Sequence, residues 1–153
     1  MSDHSDYDFD SLVGSALPAV NIMTNLAYNK REITVFGGDQ LRPNTHTEDM
    51  VQAYLVLLRA PMVKIAGKIY NAGYENQSVQ NLAKTVKNVI GEDVKLITIK
   101  TNDNRSYHIS SKKIKNELGF EARFSIKQAV EDLKDAFAQG KLPNSLTDGK
   151  YFN

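Results

Sequence analysis

The sequence predicts an α/β fold in which short strands alternate with amphipathic helices. Two kinds of observation predict it. Short runs rich in β-branched and aromatic residues, Ile33–Phe36 and Val94–Ile99, suit a pleated strand. Between them, apolar residues recur near a 3.6 period, and these stretches carry helix punctuation: Ser or Thr before them, Pro or Gly after.

Taken in order, residues 1–16 form an acidic tail with Asp3, Asp6, Asp8 and Asp10. A solvated segment is the plain reading. A carboxylate metal site is the alternative, but the glycine and distal glutamate of a calcium loop are missing. Residues 17–140 read as one domain. Leu17–Lys30 is helical, with Leu17, Val20, Ile22, Met23, Leu26 and Ala27 recurring near a 3.6 period. After the strand Ile33–Phe36, Gly37 and Gly38 form a turn. Arg42 precedes Pro43, which restricts its backbone. Thr47 is expected to cap the helix Thr47–Ala60, which Pro61 stops. A further strand is expected at Lys68–Ala72, followed by a polar loop, NAGYENQS. Ser78 caps a helix that runs to Ile90 and leaves at Gly91. The strand Val94–Ile99 leads to a polar loop, Thr101–Arg105. Ser110 or Ser111 starts the helix Lys112–Leu118, which Gly119 ends. Ser125 and Gln128 form a capping box for the last helix, which Gly140 ends. Residues 141–153 read as an irregular tail. There is no internal repeat.

Composition excludes several functions. The 153 residues carry a net charge of +1, so bulk attraction to nucleic acid or anionic membrane is not expected. There is no cysteine, hence no disulfide, thiolate metal site or cysteine nucleophile. That fits a cytoplasmic protein. No apolar run reaches the ~20 residues that span a bilayer. The N-terminus lacks the apolar core of a signal peptide. His4, His46 and His108 have no ligand spacing, so surface or structural roles are expected of them and no metal site is assigned.

No G-x-G-x-x-G loop, Walker lysine loop or G-x-S-x-G elbow is present. Two arginines remain. Arg42 follows the glycine turn and Arg105 follows TNDN, both in loops just beyond strands, where α/β folds place ligands. A guanidinium can pair with phosphate through two bonds. Two solvated surface arginines are the plainer reading of this pattern. Tyr107 can stack on a base or sugar, or serve as partial core. Asn71, Tyr74, Glu75 and Asn76 form a polar cluster that reads as turn chemistry.

Four segments occur in a recognisable order: ITVFGGDQLRPNTHTEDMVQAYLVLL, IYNAGYENQSVQNLAKTVKNVIG, NDNRSYHISSKKIKNELGF and FSIKQAVEDLKDAF. Together, from Leu17 to Gly140, they resemble the C-terminal half of the extended short-chain dehydrogenase/reductases, the NAD-dependent sugar-nucleotide epimerases and dehydratases. The resemblance implies an α/β fold without the complete Rossmann domain. It implies that the strand carrying Ile33, Val35 and Phe36 lies beside a nucleotide base. It also implies that Arg42 and Arg105 contact a diphosphate with Tyr107 nearby, and that the ligand is a UDP- or dTDP-type nucleotide sugar. The helix start Thr47–Asp49 and the segment Tyr70–Gly73 map onto structural parts of the family.

The sequence departs from that family in one respect. The glycine fingerprint for NAD and the Tyr-x-x-x-Lys pair are absent. Tyr107 and Lys112 are five apart and lie in the wrong motif. No catalytic residue is therefore assigned, and no cofactor is expected for this chain alone, although the family uses NAD. A truncated frame, a fragment and a short natural descendant of the C-terminal half all fit. Elements that complete a Rossmann domain in the family would bare apolar faces here, which predicts a homo-oligomer. Two readings of function stay open: a nucleotide-sugar-binding portion that is not catalytic alone, or a non-catalytic self-associating module.

Overall fold

A computed structural model describes residues 19–102 and 105–151. It is an α/β structure of short strands and helices: α1 (Ala19–Lys30), β1 (Glu32–Phe36), β2 (Leu41–Asn44), α2 (Thr47–Arg59), α3 (Met62–Ile65), β3 (Glu75–Ser78), α4 (Val79–Ile90), β4 (Lys95–Ile99), α5 (Lys112–Leu118), α6 (Ile126–Ala138) and a 3-10 turn at Gly149–Tyr151. The acidic residues 3–10 and His4 lie outside the described residues. Among the described residues no helix is long and apolar enough to cross a membrane.

Strands β1 and β4 pair in parallel, Ile33 opposite Leu96 and Val35 opposite Thr98. Paired residues of a parallel ladder point to the same side, so Ile33, Val35 and Leu96 share one face. Three helices cover it. Val20, Met23 and Ala27 of α1 contribute one stripe, and Val79, Leu82, Ala83, Val86 and Ile90 of α4 a second. Ile126 and Val130 of α6 complete the main core. The buried Thr24 hydroxyl donates to the Val20 carbonyl at 2.7 Å, so it costs the core no unsatisfied group. On the opposite face Ile97 and Ile99 are 40% and 45% exposed. Parallel sheets are normally covered on both faces. Here the described residues cover one.

A second, smaller core joins Ala53 of α2, Ile114 of α5 and Phe120, with Val56, Tyr70, Ala72 and Leu118 around them. Polar groups tie the two cores together. Asp49, 1% exposed, accepts from the backbone N–H of Arg123 at 3.0 Å and of Phe124 at 3.0 Å. The Glu75 carboxylate accepts from the Ile126 N–H at 3.3 Å. These bonds fix the entry into α6 against the starts of α2 and β3.

Three local expectations are corrected. Thr47 is the first residue of α2 and does not cap it. His46 is the N-cap, its Nδ1 accepting from the Glu48 N–H at 3.2 Å. Its Nε2 lies 3.2 Å from Asp132 and its ring stacks on Phe124 at 4.9 Å, so the imidazole is a structural joint. Residues 68–72 form no strand. Side chains take up their polar groups in place of a ladder: Lys113 donates to the Ile69 carbonyl and Thr45 to the Ala72 carbonyl. The polar stretch Glu75–Ser78, read as a loop, is strand β3. It pairs antiparallel with β2, Arg42 opposite Gln77 and Pro43 opposite Asn76. The tail after Gly140 is held to α1, where the Ser145 carbonyl accepts from Asn25 at 2.9 Å and its hydroxyl donates back at 2.7 Å.

Candidate functional site

The site grows from the turn after β1. Gly37 and Gly38 adopt φ of 73° and 132°, open to glycine at little cost. The Gln40 side chain closes the turn, accepting from the Gly38 N–H at 2.6 Å and donating to the Phe36 carbonyl at 2.8 Å. The chain then enters β2, where the extended conformation imposed before Pro43 sets Arg42. One Arg42 nitrogen donates to two carbonyls, Arg105 at 2.6 Å and Leu41 at 3.0 Å. Its guanidinium carbon sits 5.5 Å from the centre of the Tyr107 ring, a cation–π distance.

The segment carrying Arg105 and Tyr107 is laid against β2 and β3. The Tyr107 N–H donates to the Leu41 carbonyl at 3.0 Å, and the Leu41 N–H donates to the Ser106 hydroxyl at 2.8 Å. Two residues on, Asn76 of β3 meets Ile109 with both ends of its amide. Its Oδ1 accepts from the Ile109 N–H at 2.9 Å, and its Nδ2 donates to the Ile109 carbonyl at 3.0 Å. Next, Ser111 exchanges hydrogen bonds with the backbone of Gly73, at 2.8 Å and 2.7 Å. A Cβ on Gly73 would lie 2.3 Å from Ile109 Cδ1, so a larger residue there would require the Ile109 side chain to move.

Of the six residues read as substrate-binding, the structure brings Arg42, Arg105 and Tyr107 together. Ile33 and Val35 do not join them. Both are fully buried in the main core between the sheet and its helices, and present no surface to a ligand. The physical reason is the period-2 alternation of β1, which sends residues 33 and 35 inward and Phe36 to the other face, in the row of Ile99. Sequence reasoning took Asn76 for turn chemistry and did not single out Ser106. What marks both is their pairing with backbone far along the chain, which no local pattern shows.

The Gly37–Gly38 turn does not fit a dinucleotide. A Cβ on Gly37 would meet Gln40 and Thr101 at 2.7–2.9 Å, and one on Gly38 would meet Gln80 at 3.2 Å. The protein's own side chains fill the space, and the turn leads into a strand rather than into the helix N-terminus that would face a pyrophosphate. No step through NAD follows from these residues. Among the described residues, no group of three or more His, Asp or Glu could hold a metal ion. Ionisation is perturbed elsewhere, in surface ion pairs. Arg31 holds the Asp93 carboxyl below its usual range through bonds of 2.7 and 2.6 Å, and Lys68 and Tyr70 do the same for Glu117.

A sequence model of the NAD dependent epimerase/dehydratase family matches residues 8–73. Over those residues the chain is similar to that family. Its fold agrees. UDP-glucose 4-epimerase of Thermotoga maritima, solved with UDP-glucose, shares 22% identity over 83% of this chain and 41% of its own, with a TM-score of 0.70. A short-chain dehydrogenase/reductase superfamily protein of Agrobacterium tumefaciens with bound NAD shares 25% identity over 71% of this chain and 34% of its own, at 0.60. L-threonine dehydrogenase of Phytophthora infestans reaches 0.70 at 14% identity, over 82% of this chain and 45% of its own. No curated protein matches the sequence. The chain spans about two fifths of the length of these solved structures. The fold is common to epimerases and to an amino-acid dehydrogenase, so the ligand has to be argued from the side chains.

Proposed function

We propose that Arg42, Arg105 and Tyr107 form the diphosphate-binding part of a site for a UDP- or dTDP-type nucleotide sugar, and that the chain alone does no hydride chemistry. The observation that carries this reading is the placement of Arg42. One of its nitrogens bonds the Arg105 main-chain carbonyl, so the segment that carries the second arginine, more than 60 positions along the chain, lies against Arg42. A guanidinium beside an aromatic ring, with a second arginine on the adjoining segment, is suited to a planar or doubly charged anion. The reading also accords with the sugar-nucleotide enzymes among the chain's structural relatives.

Calorimetric titration with UDP-glucose and dTDP-glucose tests it. The wild type should bind one of them, and Arg42→Ala should weaken that binding by about 1.5–3 kcal/mol, roughly 10- to 150-fold in Kd. Arg42→Lys should recover only part of the loss, because a lysine cannot form the paired contact. Absence of binding to either nucleotide sugar would remove the proposal.

A second reading, a non-catalytic self-associating module, is favoured by a different observation: the face of the β1–β4 sheet that the described residues leave uncovered. Ile97 and Ile99 stand exposed beside each other there. Apolar surface of this kind favours association, and we infer a homo-oligomer that buries it. Light scattering on the purified chain should show a mass above that of one 17.1 kDa chain. The double variant Ile97→Lys/Ile99→Lys should shift the mass toward a single chain. A wild type that stays monomeric at high concentration would refute this. The cysteine-free composition suits a cytoplasmic setting for either reading.

A further inference from the structure

We propose that Asn76 is a positioning residue, which holds the Arg105–Tyr107 segment over Arg42 without itself meeting the ligand. The inference rests on the reading of Arg42, Arg105 and Tyr107 as a ligand surface. Its own warrant is the geometry of one side chain.

The segment 105–109 has no regular secondary structure and is not part of either sheet. Near its start it is tied to β2 through Leu41, whose backbone meets Tyr107 and Ser106. At Ile109 the backbone has no strand to pair with, and Asn76 takes that place. A primary amide carries a carbonyl acceptor and an N–H donor on one planar group, as a peptide does. Asn76 uses both, at 2.9 and 3.0 Å, and so serves as a single rung of a missing ladder. Asn76 stands opposite Pro43 in the β2–β3 register. The neighbouring rung pairs Arg42 with Gln77. The strand pair that presents Arg42 therefore also carries the clasp for the segment presenting Arg105 and Tyr107. Fixing the backbone at 107 and 109 also holds the Tyr107 ring in place beside Arg42.

Two contributions separate cleanly in variants. Asn76→Ala removes both bonds. Asn76→Asp keeps the acceptor for the Ile109 N–H but loses the donor and sets a carboxylate against the Ile109 carbonyl. The decisive readout is the contact between Arg42 and Tyr107, seen by NMR as the ring-current shift of the Arg42 side-chain protons, together with hydrogen exchange at the Tyr107 amide. In Asn76→Ala the shift should collapse and Tyr107 exchange should quicken by about tenfold or more, while exchange at Leu82 and Val86 in the main core stays as in the wild type. Titration with UDP-glucose should show a Kd raised by about tenfold, with Asn76→Asp between that variant and the wild type. In an Arg42→Ala/Arg105→Ala background, Asn76→Ala should move Kd less than twofold, since the groups it positions are gone.

An Arg42 shift and Tyr107 exchange unchanged in Asn76→Ala would overturn the proposal. So would a core that exchanges as fast as Tyr107, because the residue would then hold up the fold and not the site. If Asn76→Ala does not fold, the same two readouts in Asn76→Asp decide. Should the wild type bind no UDP-glucose while the Arg42–Tyr107 contact still depends on Asn76, the positioning role stands and the assignment of the ligand falls.

Discussion

Replacing Asp49 by alanine should cost the fold about 3–5 kcal/mol, measured by urea denaturation against the wild type. The carboxylate is buried and is reached by the N–H groups of Arg123 and Phe124 through three contacts of 3.0–3.1 Å. Alanine would leave both donors without an acceptor inside the protein, and an unsatisfied buried donor costs roughly 1–3 kcal/mol. Hydrogen bonds to a charged acceptor are also about twice as strong as neutral ones. Asp49→Asn keeps a carbonyl for one donor, so its loss should be about half as large. Position adds to the effect. Asp49 links the start of α2, which belongs to the small core, to the turn that launches α6 into the main core. The alanine variant should therefore lower cooperativity as well as stability, with a smaller denaturant slope. A loss below about 1 kcal/mol would mean that water reaches the two N–H groups and that the carboxylate is not the tie between the cores.

Leu82→Ala should cost about 2–5 kcal/mol through loss of packing. Leu82 is fully buried and lies in the α4 stripe between β1 and the helices α1 and α6. The transfer of its side chain from water is forfeited, and the rigid neighbours Ile33, Val35 and Val86 close only partly on the cavity. Here the denaturant slope should stay close to the wild-type value, because the main core shrinks without losing its connection to the small one. The two substitutions thus differ in kind: one removes volume from a core, the other removes the bond between two cores. A Leu82→Ala loss under about 1 kcal/mol would show that the helices collapse freely onto the sheet. Against a total stability of roughly 5–15 kcal/mol for a domain, either variant approaches the limit of folding.

The elements that were legible in the sequence are those set by neighbours a few residues away. The capping box of α6 forms as read, Ser125 and Gln128 each bonding the other's backbone. Ser78 caps α4, and Gly119 ends α5 in the left-handed conformation, φ 73°. These depend on i to i+3 chemistry, which a sequence displays. The errors lie where the deciding partner is distant. Residues 68–72 have strand-like composition, yet the carbonyls of Ala72 and Ile69 go to Thr45 and Lys113, residues that no alternation pattern points to. Glu75–Ser78 has the composition of a turn and becomes a strand because Leu41–Asn44 lies alongside. His46 displaces Thr47 as a cap because Asp132 and Phe124 hold its ring in place. At the site, both arginines were read as loop cations, but Arg42 lies in strand β2 because Gln77 of β3 pairs with it, a partner no local pattern shows. The burial of Ile33 and Val35 was readable from alternation, once it was known which side of β1 faces the helices. Asn76 was not readable, since its role lies in a bond to backbone 33 positions away.

The outer edge of β1 has one more consequence. Arg31 and Gly37 bond to β4, so in this parallel ladder Glu32, Thr34 and Phe36 turn their peptide groups the other way. A β-rich edge such as Ile-Thr-Val-Phe is a template on which a second, unrelated strand can grow, the usual route from a soluble protein to a fibril. The chain blunts that hazard at both ends. The Gln40 amide occupies the Phe36 carbonyl, and Glu32 sets a charge at the other end. Among the described residues, the peptide of Thr34 remains between them with no strand beyond it.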